Sequence, residues 1–279
     1  MNSFFDLNRW LLYIGKHWNE NKRKYLLSLG AVGGLQLLWF SFMLLVNHAQ
    51  PMEKTIQVAT YFVGLFLTGC LYASLIFNDL SEGPKAIHFL LLPASLFEKL
   101  LSALLYGVIL YFICYTLTFY VVDFAMVKVT NGVMSSMAEH DHSITYRAED
   151  VANVFFPKDF AGGNQFIYIL LGYFAIQSIF LLGSVYFVKF QFIKTLVSGL
   201  VVFLVLVFFV HKVIGSFMPT GGFYQPFTVY RIFDATKGQL SVQLPEWLSS
   251  LMLFLTKYAL APCLWVVTYF RLKEKEVNA

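Results

Sequence analysis

The sequence predicts an all-α integral membrane protein with six transmembrane helices, and two observations support that fold class. Hydrophobic residues make up 58% of the 279 positions and charged residues only 13%, against roughly 25% charged in an average soluble domain. In addition, six stretches approach the roughly 20 mostly apolar residues that a bilayer-crossing helix needs. A soluble fold of this length has too little interior to bury so much apolar surface.

The predicted spans are separated by more polar segments. They cover about 25–46, 56–76, 100–122, 166–188, 196–214 and 248–270. An even number of spans puts both termini on one side of the membrane. Lys and Arg residues are denser on that side, especially before the first span, and cytoplasmic segments retain more of them. We therefore expect a multi-pass protein of the cell membrane with both termini cytoplasmic, ending in a tail at 271–279.

The segments outside the spans have distinct patterns. Residues 1–22 place apolar side chains at helical spacing and charges on another side, which predicts an amphipathic helix lying in the membrane interface; a soluble tail is the alternative. Residues 123–165 are polar and predict an external loop with one short helix. Residues 215–247 alternate aromatics with Gly and Pro, which predicts an external or re-entrant segment. The two cytoplasmic loops are shorter.

Motifs for chemistry are scarce. Asp123 and Lys257 fall near the predicted outer ends of spans, so the span centres lack the ionisable groups typical of proton or ion coupling. The chain has no phosphate-binding Gly-x-x-x-x-Gly-Lys-[Ser/Thr] loop and no hydrolase motif. Residues 139–142 contain two histidines and two carboxylates, but their spacing fits no zinc pattern and indicates a polar loop. We expect no metal, no catalytic site, no nucleic acid and, with three cysteines inside apolar runs, no disulfide.

Small residues mark predicted helix contacts. Gly30 and Gly34 lie four apart in the first span, and Gly69 and Ala73 do so in the second. Such pairs allow backbones to approach closely. For Gly30 and Gly34, contact with a second copy and packing within the chain remain equally open. Pro262 predicts a kink or local break in the last span.

The loop between the second and third spans, residues 77–99, contains two prolines and a Ser-x-x-Glu pattern. Pro84 suits the first turn of a short helix over 85–92, and Pro93 ends that helix because the residue before a proline avoids helical geometry. Ser95 and Glu98 have the spacing of a capping box that starts a new helix into the third span. The pattern predicts a short helix, a break and a capped restart; a membrane-surface helix without a partner is the alternative.

This loop resembles that of the membrane subunits of ABC-2 type ABC transporters, notably small permeases of bacterial export systems. The similarity lies in Gly83, the run from Leu92 to Ser95, and Glu98-Lys99 leading into the third span; the chain departs from the pattern at Leu96, where a basic residue is common. The overall layout of an interfacial helix, six spans and a long segment before the last span is also similar.

The resemblance implies the permease half of an ATP-driven exporter in the bacterial inner membrane. A separate ABC ATPase subunit would bind ATP and magnesium, a second permease copy or a paralogue would complete the transporter, and membrane lipid would surround it. The loop would act as a coupling helix. The implied coupling residues are Asp79, Glu82, Lys85, His88, Pro93, Ser95 and Glu98.

The alternatives are a membrane scaffold that recruits a cytoplasmic partner without transport, and a lipid-acting enzyme that uses the external histidines His140 and His142. The sequence does not indicate the transported substrate, because aromatic-rich spans accommodate lipids, peptides and drugs alike.

Overall fold

The computed structural model describes residues 4–46, 53–81, 83–140, 148–155, 165–217, 223–225, 229–234, 238–243 and 245–277. Six helices in this part of the chain are long and apolar enough to cross a membrane, which confirms the predicted number. The helices are α1 Leu7–Val46, α2 Lys54–Leu75, α3 Gly83–Leu91, α4 Leu96–Leu104, α5 Tyr111–His140, α6 Gln165–Tyr186, α7 Gln191–Phe217, α8 Glu246–Phe254 and α9 Leu260–Val277.

Two π-helical segments join neighbouring helices into continuous rods. Leu105–Leu110 connects α4 to α5, and Leu255–Ala259 connects α8 to α9. The second segment lies just before Pro262, whose ring disturbs the hydrogen-bond ladder of the preceding turn. The irregularity expected from Pro262 is therefore a π-helical turn within a continuous helix.

Helix α1 is longer than the sequence pattern predicts. It is one helix of 40 residues, about 60 Å at 1.5 Å per residue, against a hydrocarbon core of about 30 Å. The amphipathic segment 1–22 and the first span 25–46 are therefore not separate elements. Residues 22–25 are Lys-Arg-Lys-Tyr, and nothing in that run breaks a helix.

Helix α5 also extends beyond its prediction, because it continues to His140 where the sequence suggested a loop from 123. Its buried side continues through Val127, Thr130 and Met134. Residues 148–155, which we call the strap, lie along this side: Asn131 donates to the Glu149 carbonyl at 2.8 Å, and Tyr120 accepts from the Val154 N–H at 3.1 Å.

A small antiparallel sheet lies between α7 and α8 in sequence, within the segment predicted as external or re-entrant. Its strands are β1 Phe223–Gln225, β2 Val229–Asp234 and β3 Gly238–Gln243, in the order β1-β2-β3. The register runs from Phe223↔Arg231 for the first pair and from Val229↔Gln243 for the second.

The core has two main parts at opposite ends of the helices. One contains Tyr61, Leu65 and Phe119 together with Ala152 and Val154 of the strap. The other joins the end of α2 to α4, α6 and α9 through buried side chains. They are Phe77, Leu80, Leu96, Leu100, Ala103, Leu181, Val185 and Leu272. We call this second region the loop end, because α3 packs against it.

The two pairs of small residues behave differently. A side chain at Gly69 would overlap the Tyr173 ring of α6, and Ala73 is fully buried, so this pair packs inside the chain. Gly30 and Gly34 have no atom within 4 Å of where a Cβ would lie, in the described residues. The close approach of α1 to α5 occurs instead at Gly33, beside Thr118.

Candidate coupling site at the loop end

Helix α3 is a short amphipathic helix with one packed face and one open face. Ala86, Phe89 and Leu90 pack against the loop-end core. On the other side Ile87 is 55% exposed and Leu91 is 77% exposed. These two residues are four apart and therefore lie one above the other on the same face. Helix α3 thus presents an apolar stripe away from the bundle.

A tight turn separates α3 from α4. Helix α3 ends at Leu91, and the Ala94 N–H donates to the Leu92 carbonyl at 2.7 Å. Pro93 is the central residue of this three-residue turn, whose backbone angle suits a proline ring. The break predicted at Pro93 is therefore present, and it is a compact turn.

The capping box predicted for the restart is present. The Ser95 Oγ accepts from the Glu98 N–H at 3.2 Å, and Glu98 Oε2 accepts from the Ser95 N–H at 2.9 Å. The two residues satisfy amide groups that the first turn of α4 leaves without helical partners.

Glu98 also anchors the start of α1. Its side chain is 0% exposed, and Arg9 donates to it from Nη2 at 2.7 Å and from Nε at 2.8 Å. The Asp6 N–H donates to Glu98 Oε1 at 2.9 Å, and Ser95 Oγ donates to the Phe4 carbonyl at 2.9 Å. A bidentate arginine–carboxylate pair fixes geometry as well as charge. The beginning of α1 is thereby tied to the turn between α3 and α4.

Lys99 holds α3 from the other side. Its Nζ donates to the Leu90 carbonyl at 3.0 Å and lies 5.3 Å from the centre of the Phe89 ring. Both partners belong to the last turn of α3, where carbonyl groups lack helical partners and favour a cation. A buried lysine of α4 therefore caps the end of α3 and fixes the two helices relative to each other.

The structure separates the predicted coupling residues into three groups. Lys85 and His88 lie on the exposed side of α3. Pro93, Ser95 and Glu98 form the joint, and Glu98 is fully buried there. Asp79 lies in a 3₁₀ turn, Asn78–Ser81, and faces a cavity beside α1, whereas Glu82 lies outside the described residues.

Sequence reasoning missed the residues that complete the joint. Arg9 and Phe4 belong to a segment 89 or more positions away from Glu98 and Ser95. The available signal was Glu98 itself, because a carboxylate entering an apolar helix needs a cation when it is buried. No spacing rule identifies which distant cation it takes.

The arrangement fixes α3, the joint and the start of α1 to one another. No group of three His, Cys, Asp or Glu side chains suited to a metal ion occurs in the described residues. His140 lies at the end of α5, its Nδ1 2.8 Å from the Ser136 carbonyl, and His142 lies outside the described part. No family model, curated protein or solved structure matches the chain.

Proposed function

We propose that the chain is the permease half of an ATP-driven exporter of the ABC-2 type, located in a bacterial inner membrane with both termini cytoplasmic. A separate ATPase subunit would hydrolyse ATP and act on this chain through α3. The observation that carries the proposal is the construction of α3, which combines an open apolar stripe with a rigid attachment to two long helices.

The attachment is suited to passing on a displacement. Lys99 links α3 to α4, and the Arg9–Glu98 pair links the same joint to α1. Helix α4 continues through α5 as a rod of 45 residues, about 67 Å long. A push on α3 would therefore move two candidate spans together, because separating Arg9 from Glu98 would leave the fully buried Glu98 carboxylate without its cation.

The exposed side of α3 supports docking in a groove of a partner. Apolar anchors on one helical face are the usual means by which a short helix binds a groove. Ile87 and Leu91 provide such anchors, and Lys85 and His88 lie beside them on the exposed surface. The given sequence contains no phosphate-binding loop, and the proposal assigns ATP hydrolysis to a separate subunit.

The proposal places a second permease copy or a paralogue against α7. From Leu200 to Phe209 the side chains are about half exposed on every face of the helix. Gly30 and Gly34 of α1 are likewise open to a neighbour. In this proposal the substrate path lies between two permeases, and membrane lipid covers the remaining apolar surface.

The test is co-purification of an ATPase with the full chain solubilised in detergent from its native membrane. We expect an ATPase with a phosphate-binding loop to co-purify, and Ile87→Glu with Leu91→Glu to lower its recovery at least tenfold. The matched control is Leu12→Glu, because Leu12 is 76% exposed on α1. This control should retain the ATPase.

The outcome separates the proposal from the scaffold alternative. Reconstituted with the recovered ATPase, the wild-type chain should stimulate ATP hydrolysis and the α3 variant should not. Recovery of only proteins that lack ATPase activity would overturn the proposal and favour a scaffold.

A further inference from the structure

A cavity of about 370 Å³ opens beside α1 at the loop end. It lies between α1, the end of α2, the 3₁₀ turn and α4. Its volume falls within the range of about 300–1,000 Å³ that is usual for small-molecule sites. The side chains that matter below are Lys24 and Asp79 at its edge, and His17, Tyr25 and Tyr106 inside it.

The exposed edge of the cavity carries Lys24 and Asp79, whereas Lys99, a further cation of the lining, is buried and donates to the Leu90 carbonyl. Lys24 and Asp79 are both exposed, and no ion pair within 4 Å joins them in the part of the chain that the structure describes. Two opposite charges that face one cavity without neutralising each other complement a molecule that carries both charges itself.

The interior is aromatic. The Tyr25 and Tyr106 rings stack with centroids 5.5 Å apart, and the His17 ring lies 4.9 Å from that of Tyr106. Tyr106 donates to the Ile14 carbonyl at 3.2 Å, and His17 Nε2 is hydrogen-bonded to the Tyr25 hydroxyl at 2.5 Å. Amphipathic rings of this kind are typical of the level between lipid headgroups and chains.

Two further, largely apolar cavities lie next to this one along α1. A second cavity of about 90 Å³ shares Tyr25, Ser28, Tyr72 and Tyr106 with the first. Its other walls are apolar, for example Leu29 of α1. A third cavity of about 470 Å³, between α1 and α2, shares Val32 and Tyr115 with the second.

We infer that these cavities bind one zwitterionic phospholipid of the phosphoethanolamine class. Its phosphate lies at Lys24, its ammonium group at Asp79, and one acyl chain runs along α1 past Ser28 and Leu29. The argument rests on the order of the surfaces, because a charged edge, aromatic rings and adjacent apolar cavities follow one another along α1 in the order of headgroup, interface and acyl chain in such a lipid. The inference does not depend on an ATPase docking on α3.

Native mass spectrometry of the full chain in detergent tests the inference, with lipids added stepwise after delipidation. Phosphatidylethanolamine should bind about fivefold more tightly than phosphatidylglycerol, since one exposed charge contact contributes up to about 1 kcal/mol. Asp79→Asn should remove this preference by weakening phosphatidylethanolamine alone. Lys24→Gln should weaken both lipids, and glycerophosphoethanolamine, which lacks the chains, should not bind.

Two further variants test whether weaker lipid binding results from misfolding. Ser28→Leu places a larger side chain between the first two cavities and should weaken both lipids at an unchanged thermal midpoint. Lys22→Gln is the matched control, because Lys22 is exposed on α1 and lies outside the cavity lining. Equal affinity of the wild type for the two lipids, or an Asp79→Asn variant that binds phosphatidylethanolamine normally, would overturn the inference.

Discussion

Asp123 is a buried carboxylate without a hydrogen-bond partner in the described part of the chain. Its side chain is 0% exposed, and neither carboxylate oxygen accepts a hydrogen bond from the described residues. The sequence placed it near the outer end of a span, because α5 was expected to end there. Because α5 continues to His140, Asp123 lies in the middle of a helix and not at its end. A buried polar group without a hydrogen bond lowers the free energy of unfolding.

Asp123→Leu should therefore stabilise the protein, by about 1–3 kcal/mol, the usual cost of an unsatisfied buried polar group. The measurement is the thermal midpoint of the full chain in detergent. Thr116→Val is the comparison, because Thr116 is hydrogen-bonded to the Tyr61 hydroxyl at 2.8 Å and its removal should destabilise. A lower midpoint for Asp123→Leu would contradict the prediction and indicate that the carboxylate has a stabilising partner.

Ser95→Ala should destabilise the protein by about 1 kcal/mol, because it removes the side-chain acceptor at the start of α4. The unfolding midpoint in a denaturant titration measures the change. Ser135→Ala, at an exposed site within α5, is the control and should have little effect. The prediction fails if both variants behave alike.

At this scale the sequence predicted what is local. Ser95 and Glu98 are three positions apart, so their mutual capping follows from spacing alone. Arg9 has no such relation to Glu98, because the pair forms only when α1 and α4 pack together. The burial of Lys99 could not be predicted for the same reason: it was placed in the loop just before the third span, and its contact with the Leu90 carbonyl forms only when α3 packs beside α4.

At the scale of elements, the Arg9–Glu98 ion pair is one of several contacts that hold the start of α1 against the joint. Arg9→Leu should loosen the start of α1, because it leaves the Glu98 carboxylate buried without its cation. Hydrogen exchange of the amides around residues 7–15 should become faster. The double variant Arg9→Leu with Glu98→Leu should recover part of the protection, since it buries no unpaired charge. Equal exchange in the single and double variants would show that the pair does not set this contact.

The turn between α6 and α7 contains the one non-glycine residue with positive φ in the described chain, Phe190 at 53°. Side chains disfavour this conformation by about 1–2 kcal/mol, whereas glycine adopts it readily. Phe190→Gly should raise the thermal midpoint, and Phe190→Ala should not. A midpoint that Phe190→Gly lowers would mean that the exposed ring contributes more than the backbone strain costs.

The elements show where pattern reasoning fails. Helix α5 was predicted to end at 122 because the segment 123–165 is polar as a whole, whereas in the structure its buried side continues through Val127, Thr130 and Met134. The strands β1 to β3 were missed because none exceeds six residues and aromatics occur among Gly and Pro throughout that segment. The six long helices were predictable because their apolar runs need no partner to be recognised.

At the scale of the whole molecule, the ends of α2, α6 and α9 meet α3 and α4 in the loop-end core. Alternating helices bring these ends together, as the predicted topology requires. In a cysteine-free background, single cysteines at Ile87 and Lys273 should react with a membrane-impermeant maleimide from the same side. A cysteine at His140 should react from the opposite side. Labelling of Ile87 and Lys273 from different sides would refute the topology.

The Arg9–Glu98 pair also has a consequence for synthesis of the chain. Arg9 is synthesised 89 residues before Glu98, the carboxylate with which it pairs. The contact between Arg9 and Glu98 therefore cannot form until the first two spans and the loop after them have been synthesised. A bulky protein fused to the N-terminus would already be folded next to Arg9 when Ser95 and Glu98 are synthesised, and it could block their contact. The C-terminus is therefore the safer place for a tag.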